Sequence, residues 1–114
     1  MTVYVKEKTD DMVEAISYME TAMIEDYNHF TNKDSEVARQ MRLEFATGIE
    51  VLYGNKYIKI VTGKHGGQRS VWGFIVNTDN DKKFKKGDLL KAAGWAAPAR
   101  NAARGNILEG GYVI

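Results

Sequence analysis

Arg100 and Arg104 stand four residues apart and run into a Gly105-Asn106 pair near the C-terminal end of a 114-residue sequence. A guanidinium offers its N–H groups as a planar fork that fits two oxygens of one phosphate. Trp72, Phe74 and Trp95 supply aromatic faces on which a base could stack, at about 1–3 kcal/mol per base. Arg69, between a glycine-rich loop and an aromatic-rich run, adds another guanidinium to the candidate ligand-binding set. Together these residue types make a kit for holding a nucleotide. A plainer reading also fits them, with the arginines on a solvated face and Trp95 in the core.

Other chemistries are poorly provided for. The absence of cysteine excludes disulfides, thiolate zinc sites, redox motifs and cysteine nucleophiles, and suits a reducing cytosol. His29 and His65 are too few and too far apart in pattern to suggest a metal centre or a base paired with a nucleophile. The carboxylate pairs Asp10-Asp11 and Glu25-Asp26 are adjacent residues, which on a helix point away from each other and make poor acid–base couples. Gly63-Lys64-His65-Gly66-Gly67 matches neither phosphate-loop spacing. The expectation is a binding protein that catalyses nothing and needs no metal or cofactor.

Charge is distributed unevenly. Residues 1–50 carry five basic and eleven acidic side chains, a formal −6, whereas residues 51–114 carry eleven basic and four acidic, a formal +7. If folding keeps the halves on different faces, one face attracts anions and the other repels them. Self-pairing of the halves, within a monomer or between copies, explains the same asymmetry.

The elements that must position these residues are legible from periodicity. The length suits a single domain spanning 1–114. Residues 2–7 alternate as a short strand. Asp11 and Glu14 resemble a capping box, and Met12, Ile16, Met19, Met23, Tyr27 and Phe30 then recur as one helical stripe. Thr31 to Asp34 make a turn, and Val37, Ala38, Met41 and Phe45 give a second helix that Gly48 ends. Beyond it the period becomes two: residues 49–53 and 57–62 form a hairpin turning on Gly54-Asn55. Ser70–Asn77 reads as a central strand, with Gly73 marking a bulge or a place where a ligand or a neighbouring backbone approaches closely. The basic cluster Lys82, Lys83, Lys85 and Lys86 precedes a turn, and Leu89–Ala93 re-enters the sheet. Pro98, a run of alanines and Gly105 predict a short helix over 98–104, with Arg100 and Arg104 on one face. The fold class is therefore α+β, two N-terminal helices packed on an antiparallel sheet with a short C-terminal helix. No apolar run reaches the length of a membrane span, and the N-terminus lacks the apolar core of a signal peptide.

Residues 87–107, from Gly87-Asp88-Leu89-Leu90 through Gly94-Trp95-Ala96-Ala97-Pro98 to Arg104-Gly105-Asn106-Ile107, resemble a stretch found in small bacteriophage proteins. With the layout of two helices, a sheet and an arginine-bearing tail, the chain resembles the phage anti-Thoeris sponge family. That resemblance implies a non-enzymatic protein that encloses cyclic ADP-ribose-type signals made by bacterial TIR proteins, and in some members cyclic oligonucleotides of the CBASS system. It further implies a homodimer, or a hexamer built as a trimer of dimers, acting in the cytoplasm of the infected bacterial host. By the same resemblance Arg104, Gly105, Asn106 and Arg100 would hold phosphates, and Phe74 would stack on adenine.

Two other classes fit the residues. A nucleic-acid-binding module would use the lysine cluster, Lys91, Arg100 and Arg104 as a backbone-tracking stripe, with steep salt dependence. An inhibitor of a host protein would use the acidic helical face as a nucleic-acid mimic.

Overall fold

Asp11 adopts extended backbone, and its carboxylate accepts a hydrogen bond from the Val13 amide at 3.0 Å, satisfying a donor that a helix start leaves free. In the computed structural model, which describes residues 3–114 apart from the side chain of Phe30, α1 (Met12–Phe30) follows from this cap. Ile16, Met19 and Met23 of the expected stripe are buried, together with Ala15 and Ala22, while Met12 and Tyr27 are half-buried. Thr2, the first residue of the expected strand, and the Phe30 side chain lie outside the described residues.

Ser35 caps α2 (Glu36–Gly48) by accepting from the Ala38 amide at 3.1 Å. Arg42 reaches back to donate to the carbonyls of Thr31 and Lys33, tying the helical hairpin at its turn. Phe45 stacks on Tyr27 of α1, with ring centroids 4.1 Å apart and planes 7° from parallel. Only part of the expected apolar stripe is covered: Ala38 is buried, whereas Val37 and Met41 are 70% and 41% exposed. The second helix meets the first through its Phe45 side, and the Val37–Met41 side faces solvent.

Five strands form one antiparallel sheet in the order of the sequence: β2 (Glu50–Tyr53), β3 (Tyr57–Gly63), β4 (Arg69–Val76), β5 (Asp88–Leu90) and β6 (Gly105–Asn106). β1 (Tyr4–Val5) pairs separately with β7 (Tyr112–Val113). The β2–β3 hairpin turns on Asn55-Lys56, one residue later than expected, because the Gly54 amide donates to the Tyr57 carbonyl at 2.9 Å. β4 is central. Ile60 pairs with Gly73 but Val61 with Val71, so Trp72 is the extra residue of a bulge. At Gly73 a Cβ would stand 3.0 Å from the Leu90 carbonyl oxygen, so bulge and close approach occur side by side.

α1 covers one face of the sheet, where Ile58, Ile60, Ile75, Leu89 and Ile107 meet its buried stripe. On the opposite face, called the outer face below, Val76, Phe84 and Leu90 make a smaller core against Tyr57.

The helix expected over 98–104 does not form. Residues 91–104 instead run as an irregular loop in which Ala92 bridges Pro98. The Ala99 amide donates to the Lys91 carbonyl at 2.7 Å and the Arg104 amide to the Leu89 carbonyl at 2.8 Å, while Ala93 and Gly94 both donate to Ala97. The preference of alanine for helix is a fraction of 1 kcal/mol per residue, and a helix of two turns is marginal by itself. Partners on β5 and on the residue just beyond it outweigh it. The expected strand over 89–93 likewise ends at Leu90, with Ala92 continuing only as a single bridge.

Tyr112 closes the helix-side core, and a Cβ on Gly105 would lie 2.5 Å from the Tyr112 Cβ, so the glycine makes room for the ring. The Tyr112 hydroxyl is buried with no hydrogen-bond partner among the described residues. Burial, with the charge of Glu7 adding to it, pushes the phenol up to about 12 from its ordinary 10.0. The fold thus holds the phenol neutral where the unfolded chain would ionise it: the contribution is intact below about pH 10 and is lost as pH rises towards 12. Tyr112→Phe is expected to abolish this alkaline loss and to leave stability at neutral pH unchanged or raised by about 1 kcal/mol. Urea unfolding at neutral and alkaline pH measures both.

Candidate anion-binding site

Asp81 organises the turn that follows β4. Its Oδ1 accepts the amides of Lys83 at 2.8 Å and Phe84 at 2.9 Å, a local closure typical of aspartate in turns, and this delivers Phe84 to the outer core. The carboxylate is only 2% exposed. Such a group needs a cation, and Arg100 provides it two-pronged, Nη1 to Oδ2 and Nη2 to Oδ1, each at 2.9 Å. Nη1 also donates to the Tyr57 hydroxyl at 2.6 Å, and the guanidinium carbon lies 5.0 Å from the centre of the Phe84 ring. The backbone of Arg100 is fixed as well, since Lys83 Nζ donates to its carbonyl at 2.7 Å. The guanidinium, then the two amides, hold the Asp81 carboxyl well below the usual carboxylate range, and Asp81 in turn raises Arg100. The pair stays ionised at any physiological pH.

Beside this pair lies a cleft of about 500 Å³. The β2–β3 turn contributes Asn55 and Lys56, the turn after β4 contributes Thr78, Asn80 and Lys82, and Arg100 closes the side. Lys56 and Lys82 are exposed. Three cations against the one lining carboxylate give the cleft a formal charge of +2, a field that attracts anions.

An aromatic strip continues the same face. Lys59 Nζ stands 4.9 Å from the Trp95 ring centre and 5.9 Å from that of Phe74, and Lys56 Nζ stands 5.7 Å from that of Tyr57. Trp95 is 56% exposed and keeps room for a planar group. Among the described residues, no three His, Asp or Glu side chains are grouped to hold a metal ion. No helix among them is long and apolar enough to cross a membrane.

A family profile matches residues 2–111. The chain belongs to DUF7717, a family of unknown function. No curated protein and no solved structure matches it.

In this DUF7717 chain the residues singled out from the sequence are distributed over four places. Arg100, Trp95 and Phe74 belong to the outer face, linked through Tyr57, Phe84 and Lys59. Phe74 is 2% exposed and serves as packing there. Arg104 is elsewhere: its guanidinium carbon lies 5.3 Å from the centre of Trp72, which packs on the helix-side core, and no ion pair to it is present among the described residues. The bulge at Trp72 is what separates it from Phe74, two positions along the same strand.

Asn106 is occupied internally. Its Nδ2 donates to the Lys86 carbonyl at 3.0 Å and to Asp88 at 2.9 Å, and its Oδ1 accepts the amides of Leu108 at 2.9 Å and Glu109 at 3.0 Å, so it fastens β5, β6 and the next turn together. Arg69, the fourth place, donates to the carbonyls of Gly48 and Gly63 and to Glu50 at 3.0 Å, pinning the end of α2 to the sheet.

Sequence reasoning missed Lys56, Lys82, Asp81 and Tyr57. Lys82 stood within the basic cluster and Asp81 within a polar turn, which were signals of type without position. Their convergence depends on β3–β4 pairing, in which Tyr57 opposes Val76 and so brings the hairpin turn alongside the turn after β4.

Proposed function

We propose that this chain binds a phosphate-bearing nucleotide on the outer face of its sheet and releases it chemically unchanged. The reading is carried by one observation, the convergence of Lys56, Lys82 and Arg100 on a cleft whose lining carboxylate is already bonded to Arg100. The cleft volume falls in the range of small-ligand sites, roughly 300–1,000 Å³. Trp95, on the same face and linked to the cleft through Lys59, Phe74 and Tyr57, would provide the base-stacking surface. The resemblance gives the phosphate-holding role to Arg104 with Gly105 and Asn106, and also to Arg100; the charge of the cleft favours Arg100 with the two lysines.

In biological terms the proposal is a sponge for cyclic ADP-ribose-type signals, or for cyclic oligonucleotides, working in the cytoplasm of an infected bacterium. Sequestration demands nanomolar binding, about −12 kcal/mol. A cleft open along one side supplies part of that, and a second subunit placed across it would enclose the ligand, which is why the proposal includes a homodimer or a hexamer of three dimers.

Titration calorimetry with cyclic ADP-ribose and with adenosine monophosphate tests the reading, followed by heat denaturation and mass spectrometry of the released ligand. Intact ligand is expected. Altered ligand makes the protein an enzyme, and no binding to either compound rejects the reading. Trp95→Ala is expected to weaken binding about tenfold through loss of stacking, with the fold unchanged.

One observation favours a second reading. Cation–aromatic contacts extend beyond the cleft, at Lys59 on Trp95 and at Lys83 on Phe84, 5.5 Å from ring centre, an interleaving that also suits single-stranded nucleic acid. Affinity for an oligonucleotide that falls steeply with salt, exceeding that for any mononucleotide, would decide for it.

A further inference from the structure

A guanidinium has five N–H groups. Three on Arg100 are engaged inside the chain: both of Nη1, with Tyr57 and Asp81, and one of Nη2, with Asp81. Nη1 lies on the same side as Cδ. The two donors left, Nε–H and the outer Nη2–H, are therefore neighbours along the other edge of the plane and form a side-on fork. No described residue accepts from either. A fork of this kind takes two oxygens of one oxyanion, where a lysine ammonium takes one.

The buried carboxylate accordingly has two opposed effects on an anion. Its negative charge repels the ligand. Its bonds hold the end of the guanidinium against Asp81 and so leave the Nε/Nη2 edge as the free one on a side chain that lines the cleft. We propose that Asp81 is a positioning residue: it holds Arg100 with the Nε/Nη2 fork available to a phosphate that carries two negative charges, and Lys56 and Lys82 neutralise that phosphate in the cleft. The charge follows from the lining, since three cations less one carboxylate leave +2. A phosphate monoester and a pyrophosphate both bring two charges. A cyclic phosphodiester brings one and leaves a lysine without a counter-charge.

The inference rests on the cleft being the binding site, and the experiment separates the two. Wild type, Asp81→Asn and Arg100→Lys are titrated with adenosine monophosphate, ADP-ribose and cyclic adenosine monophosphate, with circular dichroism checking the fold. Asparagine keeps an oxygen for the amides of Lys83 and Phe84, so the turn has what it needs to persist. Wild type is expected to bind the first two at least about tenfold more tightly than the third, and the ratio between them tells monoester from pyrophosphate. Charge alone predicts that Asp81→Asn tightens anion binding. Positioning predicts a loss of about tenfold for the doubly charged ligands and a smaller one for the cyclic diester, collapsing the discrimination; Arg100→Lys, which keeps the charge and removes the fork, gives the same collapse. Should Asp81→Asn fail to fold, Asp81→Glu takes its place, since it keeps the charge and displaces the carboxylate: charge alone leaves the discrimination intact, and positioning predicts its collapse. Discrimination that survives either folded variant overturns the positioning role and leaves the cleft reading standing. A wild type that binds none of the three overturns both.

Discussion

Phe74→Ala is expected to lower the unfolding free energy by about 3–5 kcal/mol, the usual cost of truncating a buried phenylalanine. The ring is 2% exposed and meets Tyr57 edge-on, with centroids 5.9 Å apart and planes at 72°. Its partner residue across the β4–β5 pairing is Leu90, and across β3–β4 it is Lys59. Removing the ring opens a cavity beneath Tyr57, the residue that shares the Arg100 guanidinium, so the site loosens along with the core. Against a total stability of about 5–15 kcal/mol for a domain of this kind, that loss removes from about a fifth of the stability to all of it. Urea denaturation gives the number. A base-stacking role for Phe74 would show the reverse pattern, weakened nucleotide binding with stability nearly unchanged.

Changing Lys56 and Lys82 together to glutamine is expected to weaken binding of adenosine monophosphate about 100-fold, roughly tenfold for each ammonium that no longer bonds the phosphate. Both side chains are exposed, and stability should stay within about 0.5 kcal/mol of wild type. The wild-type affinity should also fall with added salt, and that of the double variant much less, because screened charge is what has been removed. Calorimetric titrations in low and high salt measure both effects. Affinity that is unchanged in the double variant would mean the anion is held elsewhere, with Arg104 on Trp72 as the remaining place.

How far the sequence discloses the fold depends on whether an element is specified locally. Ile16, Met19 and Met23 recur at helical spacing behind a capping aspartate, and that pattern alone is enough for α1. The β2–β3 hairpin and the centrality of β4 were legible for the same reason, period-two runs broken by Gly54-Asn55 and by a glycine-rich loop. The tail over 98–104 was not, because proline, alanine and glycine there describe a helix in isolation while the amides of Ala99 and Arg104 find carbonyls in the segment running alongside. Val37 and Met41 show the same limit, since their spacing names a helical face but only the packing of Phe45 on Tyr27 decides which face is covered.

The candidate site divides likewise. Arg100 was identifiable by type and setting, and its guanidinium does border the cleft. Its surroundings were not, for Tyr57 is 43 residues away and Asp81 is 19, and both distances close only through strand register. Asn106 and Arg69 carry polar groups that look equally suited to a ligand. The structure engages those groups in holding β6 and the end of α2, a role that only the neighbouring carbonyls and amides disclose.

The most direct test of the cleft as the binding site is to map amide chemical shifts by NMR while cyclic ADP-ribose is titrated into the labelled protein. Shifts concentrated at Asn55, Lys56, Thr78 to Lys82 and Arg100, with a satellite at Trp95, are the predicted result. Shifts confined to Arg104 and Trp72, or none at saturating ligand, would contradict it.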